Sequence, residues 1–426
     1  MRWERKTMAR LKNSQRRATW TVSLTNFLNS GAIVAGASGL ALWTSALNLN
    51  SLQVGLLGAF SANSFGAALG ALVGGWLADQ YGRKVIYSYD MLIYLLGVII
   101  VVLAGNFPFL LTGFLITGLA VGIGIPASWT YVAETANDGN RASQVGISQF
   151  AWSLGPVLIF ALGTVASRFG VWGARGLFIF LAVCAFITWR LQRQLDESPQ
   201  WLAQKKRQLE GAPKPHPYHE LFTNRVNLKS VLFLTGIYLF WNLVSGAMGF
   251  FMPYVYVQAG GLTNAQANML QVLLWGCTAL GTYFLFAKLG DHISQRLLFA
   301  LGSISELLAW VILTYGGMNW TCLIFFALLW GLGAGLGAQA WYSLWSSELF
   351  PTKYRGSSQG VTFFCVYGSS GIWSLVFPTL LTKYGLTLLG TLMLILLAIS
   401  LLIGIIWTPQ TQGKTLTQIT GEQYRK

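Results

Sequence analysis

Long apolar runs joined by very short connectors constrain this chain more than any other feature. Residues 54–78 and 85–104 are each long enough to cross a hydrocarbon core, which takes roughly 20 apolar residues, and only residues 79–84 lie between them. The turn reads Gly75-Trp76-Leu77-Ala78-Asp79-Gln80-Tyr81-Gly82-Arg83-Lys84. An acid at a helix end, a glycine for a tight backbone and two cations directly after it are too specific for a mere spacer. Composition agrees with a lipid-solvated bundle: 54% of residues are hydrophobic and 10% charged, against about 25% charged in soluble domains.

Spans read as 20–47, 54–78, 85–104, 109–133, 142–167 and 176–192, then 230–257, 265–287, 297–316, 320–346, 357–381 and 385–408. With the N-terminus cytoplasmic, twelve spans return the C-terminus to the same side. All but three of the 28 Lys and Arg (Arg168, Arg175 and Lys383) then fall on that side, as the positive-inside rule requires. The net charge of +15 therefore points to a membrane surface and not to nucleic acid. The predicted fold class is an all-α membrane protein of twelve transmembrane helices in two six-helix bundles. Its expected parts are a bundle over 1–193, a cytoplasmic linker over 194–228, a bundle over 229–408 and a tail over 409–426. The run Met1–Arg17 leads straight into a full-length span, so no cleavable signal peptide is expected. Cys184, Cys277, Cys322 and Cys365 sit within apolar runs without metal-ligand spacing. His216 and His219 lie in a Pro-rich stretch and read as solvated side chains, so no metal and no cofactor are expected.

The halves echo each other. Asp79 closes span two and Asp291 closes span eight, 212 positions on. Glu134 and Arg141 bracket the loop after span four, and Glu348 and Arg355, each 214 positions on, bracket the loop after span ten. Such a parallel repeat implies two similar bundles about an axis along the membrane normal, with a cavity between them.

Residues 75–84 resemble the signature loop of the major facilitator superfamily, and the second copy, Ala287–Arg296, is a worn version with Ala287 and Ser294 replacing both glycines and Gln295 the first basic residue. Glu197-Ser198-Pro199-Gln200-Trp201-Leu202, Glu348-Leu349-Phe350-Pro351 with Arg355-Gly356, and the run 409–416 resemble motifs of its sugar-porter branch. The resemblance implies a secondary or facilitative transporter of a small polar metabolite, a sugar or polyol, working by alternating access as a monomer in the plasma membrane among lipids. It implies a cytoplasmic gate formed by Asp79, Arg83, Lys84, Glu134, Arg141, Asp291, Arg296, Glu348 and Arg355. Gln149 falls where sugar porters hold the sugar, and Asn242 in the run Asn242–Gly246 stands where the branch has Gln. Asn29, Gln339, Trp341 and Tyr367 complete the expected lining, since amides bond hydroxyls and rings cover C–H faces. Proton-coupled members carry an acid in span one and an Arg in span four. Here those places offer Asn26 and Asn29, and Gly113-Phe114, which favours uncoupled transport. The alternative is a proton-coupled symporter of an organic acid or other metabolite using Asp90 or Glu306, acids placed deep within spans three and nine at a cost of about 2.5–3.5 kcal/mol each. A membrane enzyme would need a clustered nucleophile, base or metal set, and none is legible. A transporter-like sensor would need a long tail, and no nucleotide-binding motif supports ATP-driven pumping.

Overall fold

In hydrocarbon every backbone N–H and C=O must be satisfied within its own segment, so apolar runs of this length become helices. The computed structural model describes residues 2–135, 141–210 and 216–424, without the side chains of 2–18, 51 and 141. The N-terminal basic side chains and the Pro213–Pro215 run thus lie outside the described residues.

The first half comprises α1 (Arg2–Leu47), α2 (Ser51–Ala59), α3 (Phe65–Tyr81), α4 (Arg83–Leu103), α5 (Phe107–Thr135), α6 (Arg141–Ala166) and α7 (Val171–Gln192). Two short helices, α8 (Pro199–Leu209) and α9 (Pro217–Thr223), occupy the connector. The second half runs through α10 (Arg225–Gln258), α11 (Asn264–Gly281) with a π-helical turn at Thr282–Ala287, α12 (Gln295–Gly316), α13 (Trp320–Gly335), α14 (Ala338–Glu348) and α15 (Arg355–Trp407), and α16 (Leu416–Tyr424) follows it. Among the described residues, ten helical segments are long and apolar enough to cross a membrane. One of them contains α15, which bends at Gly385 (φ 74°) into two arms. The α2–α3 unit supplies the remaining crossing, giving the twelve spans read from sequence.

Two spans are broken where the sequence suggests continuous helix. Between α2 and α3, the Ser61 hydroxyl donates to Gly58 O (2.8 Å) and Ser64 N to Ser61 O (3.2 Å), so local polar bonds replace the helical ladder. Between α13 and α14, Leu336 N bonds Gly333 O and Gly337 N bonds Ala334 O, a tightening to three-residue steps that ends one helix before the next begins.

The two halves meet chiefly where α3 and α2 pack on α15, α6 on α11, and α1 on α10. Gly75 explains how close α3 and α15 come. A methyl group there would overlap Gly356 O, so any larger residue would force the helices apart.

Candidate functional site

One end of the bundle is closed by a charged latch built from the repeated motifs. Asp79, at the end of α3, reaches across to the other half and accepts hydrogen bonds from Gly356 N (3.1 Å) and Ser357 N (2.7 Å), the first turn of α15. Asp291 does the same in reverse, accepting from Ala142 N (3.2 Å) and Ser143 N (3.1 Å) at the start of α6. Each signature-loop acid therefore caps a helix of the opposite half, where unpaired N–H groups and the helix dipole favour negative charge. The repeat in sequence is a reciprocal clasp in space.

Around Asp79 the charges alternate. The Arg83 guanidinium lies 3.2 Å from Asp79 and 3.0 Å from Glu134, and Arg355 lies 2.8 Å from the same Glu134 oxygen. Arg83 also donates to Ala78 O and Thr352 O, and Arg355 to Phe350 O and Gln200. These four side chains are buried and their formal charges cancel. A buried network of this kind adds little net stability relative to an apolar one, but losing one partner costs about 3–5 kcal/mol. In this arrangement it links the two halves through Glu134 and Arg355.

Sequence reasoning overlooked one member. Glu197 accepts from Arg83 N (3.0 Å), Lys84 N (3.1 Å) and Ser198 N (2.8 Å), capping the start of α4 from 113 positions away. Burial pushes its carboxyl above the usual carboxylate range, opposed by those N–H groups and by the charge of Arg83. Gly82 is tied to this contact: its φ is +105°, and a methyl group there would overlap Glu197 Oε2. Ser198 donates to Glu134 (2.5 Å), and Trp201 donates to Asp79 O (2.9 Å). The Glu-Ser-Pro-Gln-Trp motif is thus the latch's third strap. The signal was a Glu-Ser pair before a Pro that opens a helix, a capping pattern.

Other expected gate residues are placed differently. Lys84 contributes its backbone N–H, and its side chain joins no ion pair among the described residues. Arg296 is exposed and likewise unpaired among the described residues. Its buried neighbour Gln295 stands in the register of Arg83 and accepts from Trp345 Nε1 (2.8 Å) and Thr411 Oγ1 (3.3 Å). Glu348 is buried in the latch end of α14. The side chain of Arg141 lies outside the described residues.

Midway between the halves are two adjoining cavities of about 20 and 30 Å³. They share Trp152, Ser245, Trp275 and Gln339; Gln149 and Trp241 line the first, and Ser30, Asn63 and Asn242 the second. Gln339 donates to Gln149 across the gap (3.0 Å), while Gln149 Nε2 is buried without a partner among the described residues. Asn242 donates to Ser370 (2.8 Å). Space of this size admits about one water molecule, so the centre is closed down around its own amides. Beyond it, away from the latch, a mouth of about 330 Å³ opens between α1, α10 and α11, lined by Ser38, Thr44, Tyr254, Gln258 and Asn268 among others. The structure is therefore sealed at the latch and open toward the other end.

The remaining expected lining residues stand off the cavities. Asn29 is fully buried and neither amide atom has a partner among the described residues. Trp341 donates to Leu336 O and packs on Phe286 and Trp345, because the break before α14 turns its face into the second half. Tyr367 meets the Tyr238 hydroxyl at 3.5 Å within an aromatic stack. Asp90 is buried against Gly124 and accepts from Met91 N (2.6 Å). Glu306 accepts from Trp241 Nε1 (2.7 Å), behind the wall of the first cavity.

The pattern described as Major Facilitator Superfamily matches residues 19–374. The chain belongs to the Major Facilitator Superfamily. Members are transporters, not enzymes, and this chain is a multi-pass membrane transporter of the sugar-porter-like branch that acts by alternating access. It is 43% identical over 413 residues to a minor myo-inositol transporter of Bacillus subtilis strain 168, covering 95% of this chain and 93% of the relative. It is 25% identical to an arabinose-proton symporter of Escherichia coli K12, covering 84% and 83%. A solved proton:xylose symporter bound to 6-bromo-6-deoxy-D-glucose shares the fold, with a TM-score of 0.81, 16% identity and coverage of 97% and 99%.

Proposed function

We propose that this transporter carries a neutral polyol or sugar, with myo-inositol the first candidate, through a site framed by Gln149, Asn242 and Gln339. The observation that carries the reading is the Gln149–Gln339 pair, which bridges the two halves at 3.0 Å between tryptophan faces with Gln149 Nε2 left over. A cyclic polyol offers hydroxyls that both donate and accept, so it can replace that amide–amide bond and satisfy the spare NH2 as the halves part. The lining contains no Lys or Arg, which disfavours an anionic cargo. The likeness to a protein named as a myo-inositol transporter supports the same class.

Charge placement supports a cytoplasmic latch and cytoplasmic termini, with the wide mouth facing outward. Alternating access then consists of breaking the clasp at Asp79 and Asp291 while the mouth closes. The test is uptake of labelled sugars and polyols into proteoliposomes holding the purified protein. Saturable uptake of myo-inositol or a related polyol is expected, and uptake of none of the panel would refute the assignment.

A further inference from the structure

Glu306 is a carboxyl that the latch does not use. It lies midway along α12, fully buried, and no basic side chain pairs with it among the described residues. Its Oε1 accepts one hydrogen bond, from Trp241 Nε1 at 2.7 Å, and its Oε2 has no partner among the described residues. One N–H donor satisfies the carbonyl oxygen of a neutral acid and leaves its hydroxyl without an acceptor among the described residues, whereas a carboxylate would bury a charge with a donor on one oxygen only. An acid held at this depth by a single donor is expensive unless it has a task.

Its surroundings point to that task. Trp241 forms part of the wall of the first central cavity, so the indole has the cargo space on one side and the carboxyl on the other. On another side, Glu306 Oε1 is so near the break between α13 and α14 that a methyl group on Gly337 would stand 2.8 Å from it. Gly337 precedes the first turn of α14, which has no side-chain cap, and Gln339 follows two residues later. Glu306 therefore lies against Trp241 of α10 and the start of α14, two of the elements that line the central cavities. From the packed elements, α10 brings Trp241 and α13 brings Gly333. The phenols Tyr238, Tyr342 and Tyr367 of α10, α14 and α15 are stacked together beyond Trp241. Arg355 and Glu348, on α15 and α14, belong to the latch end. Asp90, in the first half, lies against Gly124 ahead of Pro126 and lines neither central cavity.

We propose that Glu306 is the site at which this transporter binds a coupling proton, and that Trp241 and the α13–α14 break pass its protonation state to the cargo site. The proposal rests on the reading of the protein as a polyol or sugar transporter. The proton adds to Oε2 when the cavity is open on one side and leaves from the same oxygen when it is open on the other. In the ionised form, the free N–H groups at the start of α14 are the available donors, and turning toward them moves Gln339 relative to Gln149.

The test uses proteoliposomes containing the full-length protein, labelled myo-inositol and an internal pH dye. Wild type is expected to take up protons with myo-inositol and to concentrate it when the outside is acidic. Glu306→Gln is expected to keep counterflow without a gradient, yet to let the label settle at its external concentration when a gradient is imposed. Failure of wild-type counterflow with myo-inositol and with every other member of the panel overturns the cargo reading, and this proposal with it. Wild-type transport without proton movement, or accumulation by Glu306→Gln equal to wild type, overturns the proposal alone. Should Glu306→Gln not fold, Trp241→Phe removes the indole N–H that Oε1 accepts. A moved pH midpoint of cargo-driven proton uptake then supports the proposal, and an unmoved one overturns it.

Discussion

Asp79→Asn should open the latch without unfolding the protein. The carboxylate accepts from two N–H groups on α15, at 3.1 and 2.7 Å, and lies 3.2 Å from Arg83. Asparagine has nearly the same shape but only one acceptor oxygen and no charge. One of the two bonds is lost, and the other falls from the charge-assisted range of about 1.5–3 kcal/mol to about 0.5–1.5 kcal/mol. Arg83 keeps Glu134, so it is not left unpaired. The loss is about 3 kcal/mol, and it falls only on the latched arrangement, because the unlatched acid is hydrated. At 1.4 kcal/mol per decade, the equilibrium between latched and unlatched forms shifts by about 100-fold. Thiol alkylation in a background lacking the four native cysteines reads this out. A cysteine replacing Thr130, whose hydroxyl meets Gln359 of the other half at 3.3 Å, should react faster when Asp79→Asn is present. A cysteine replacing Ser38 in the opposite mouth should react more slowly. Unchanged labelling at both positions would refute the clasp as the element that holds this state.

Two further perturbations follow from the same end of the molecule. Gly82→Ala should lower thermal stability by about 1–3 kcal/mol, because its φ of +105° is strained for alanine and the methyl group meets Glu197; an unchanged melting temperature would contradict this. Gln295→Arg, which restores the basic residue of the first signature copy, should destabilise the protein. Arginine cannot accept the Trp345 and Thr411 hydrogen bonds, at a cost of about 1–3 kcal/mol measurable by thermal denaturation in detergent.

Much of the fold is legible because each crossing needs its own apolar run, and the 212–214-residue repeat of acids and arginines relates the halves. The clasp itself is half legible. The acids can be named, but their partners are backbone N–H groups of α6 and α15, which carry no sequence mark. Basic character points to Arg296 over Gln295, whereas position along the helix decides which residue turns inward. Trp341 and Tyr367 read as lining from residue type, since flat rings suit C–H faces, and residue type does not say which way a ring turns. In the structure Trp341 follows the break at Leu336–Gly337 and packs on Phe286 and Trp345, while Tyr367 stacks on Phe363. Gln149 is placed through the sugar-porter resemblance, and it lines the central cavity on α6, which runs unbroken from Arg141 to Ala166.

Counterflow of labelled myo-inositol by Gln149→Ala beside wild type tests the central claim most directly, because it needs no driving gradient and reads only the site. The side chain sits at the meeting of the two halves, bonded to Gln339 and holding an amide NH2 with no partner among the described residues. Wild type should exchange myo-inositol, and the alanine variant, folded and inserted, should lose most of that exchange. Equal exchange by the two proteins would contradict the placement of the cargo between Gln149 and Gln339.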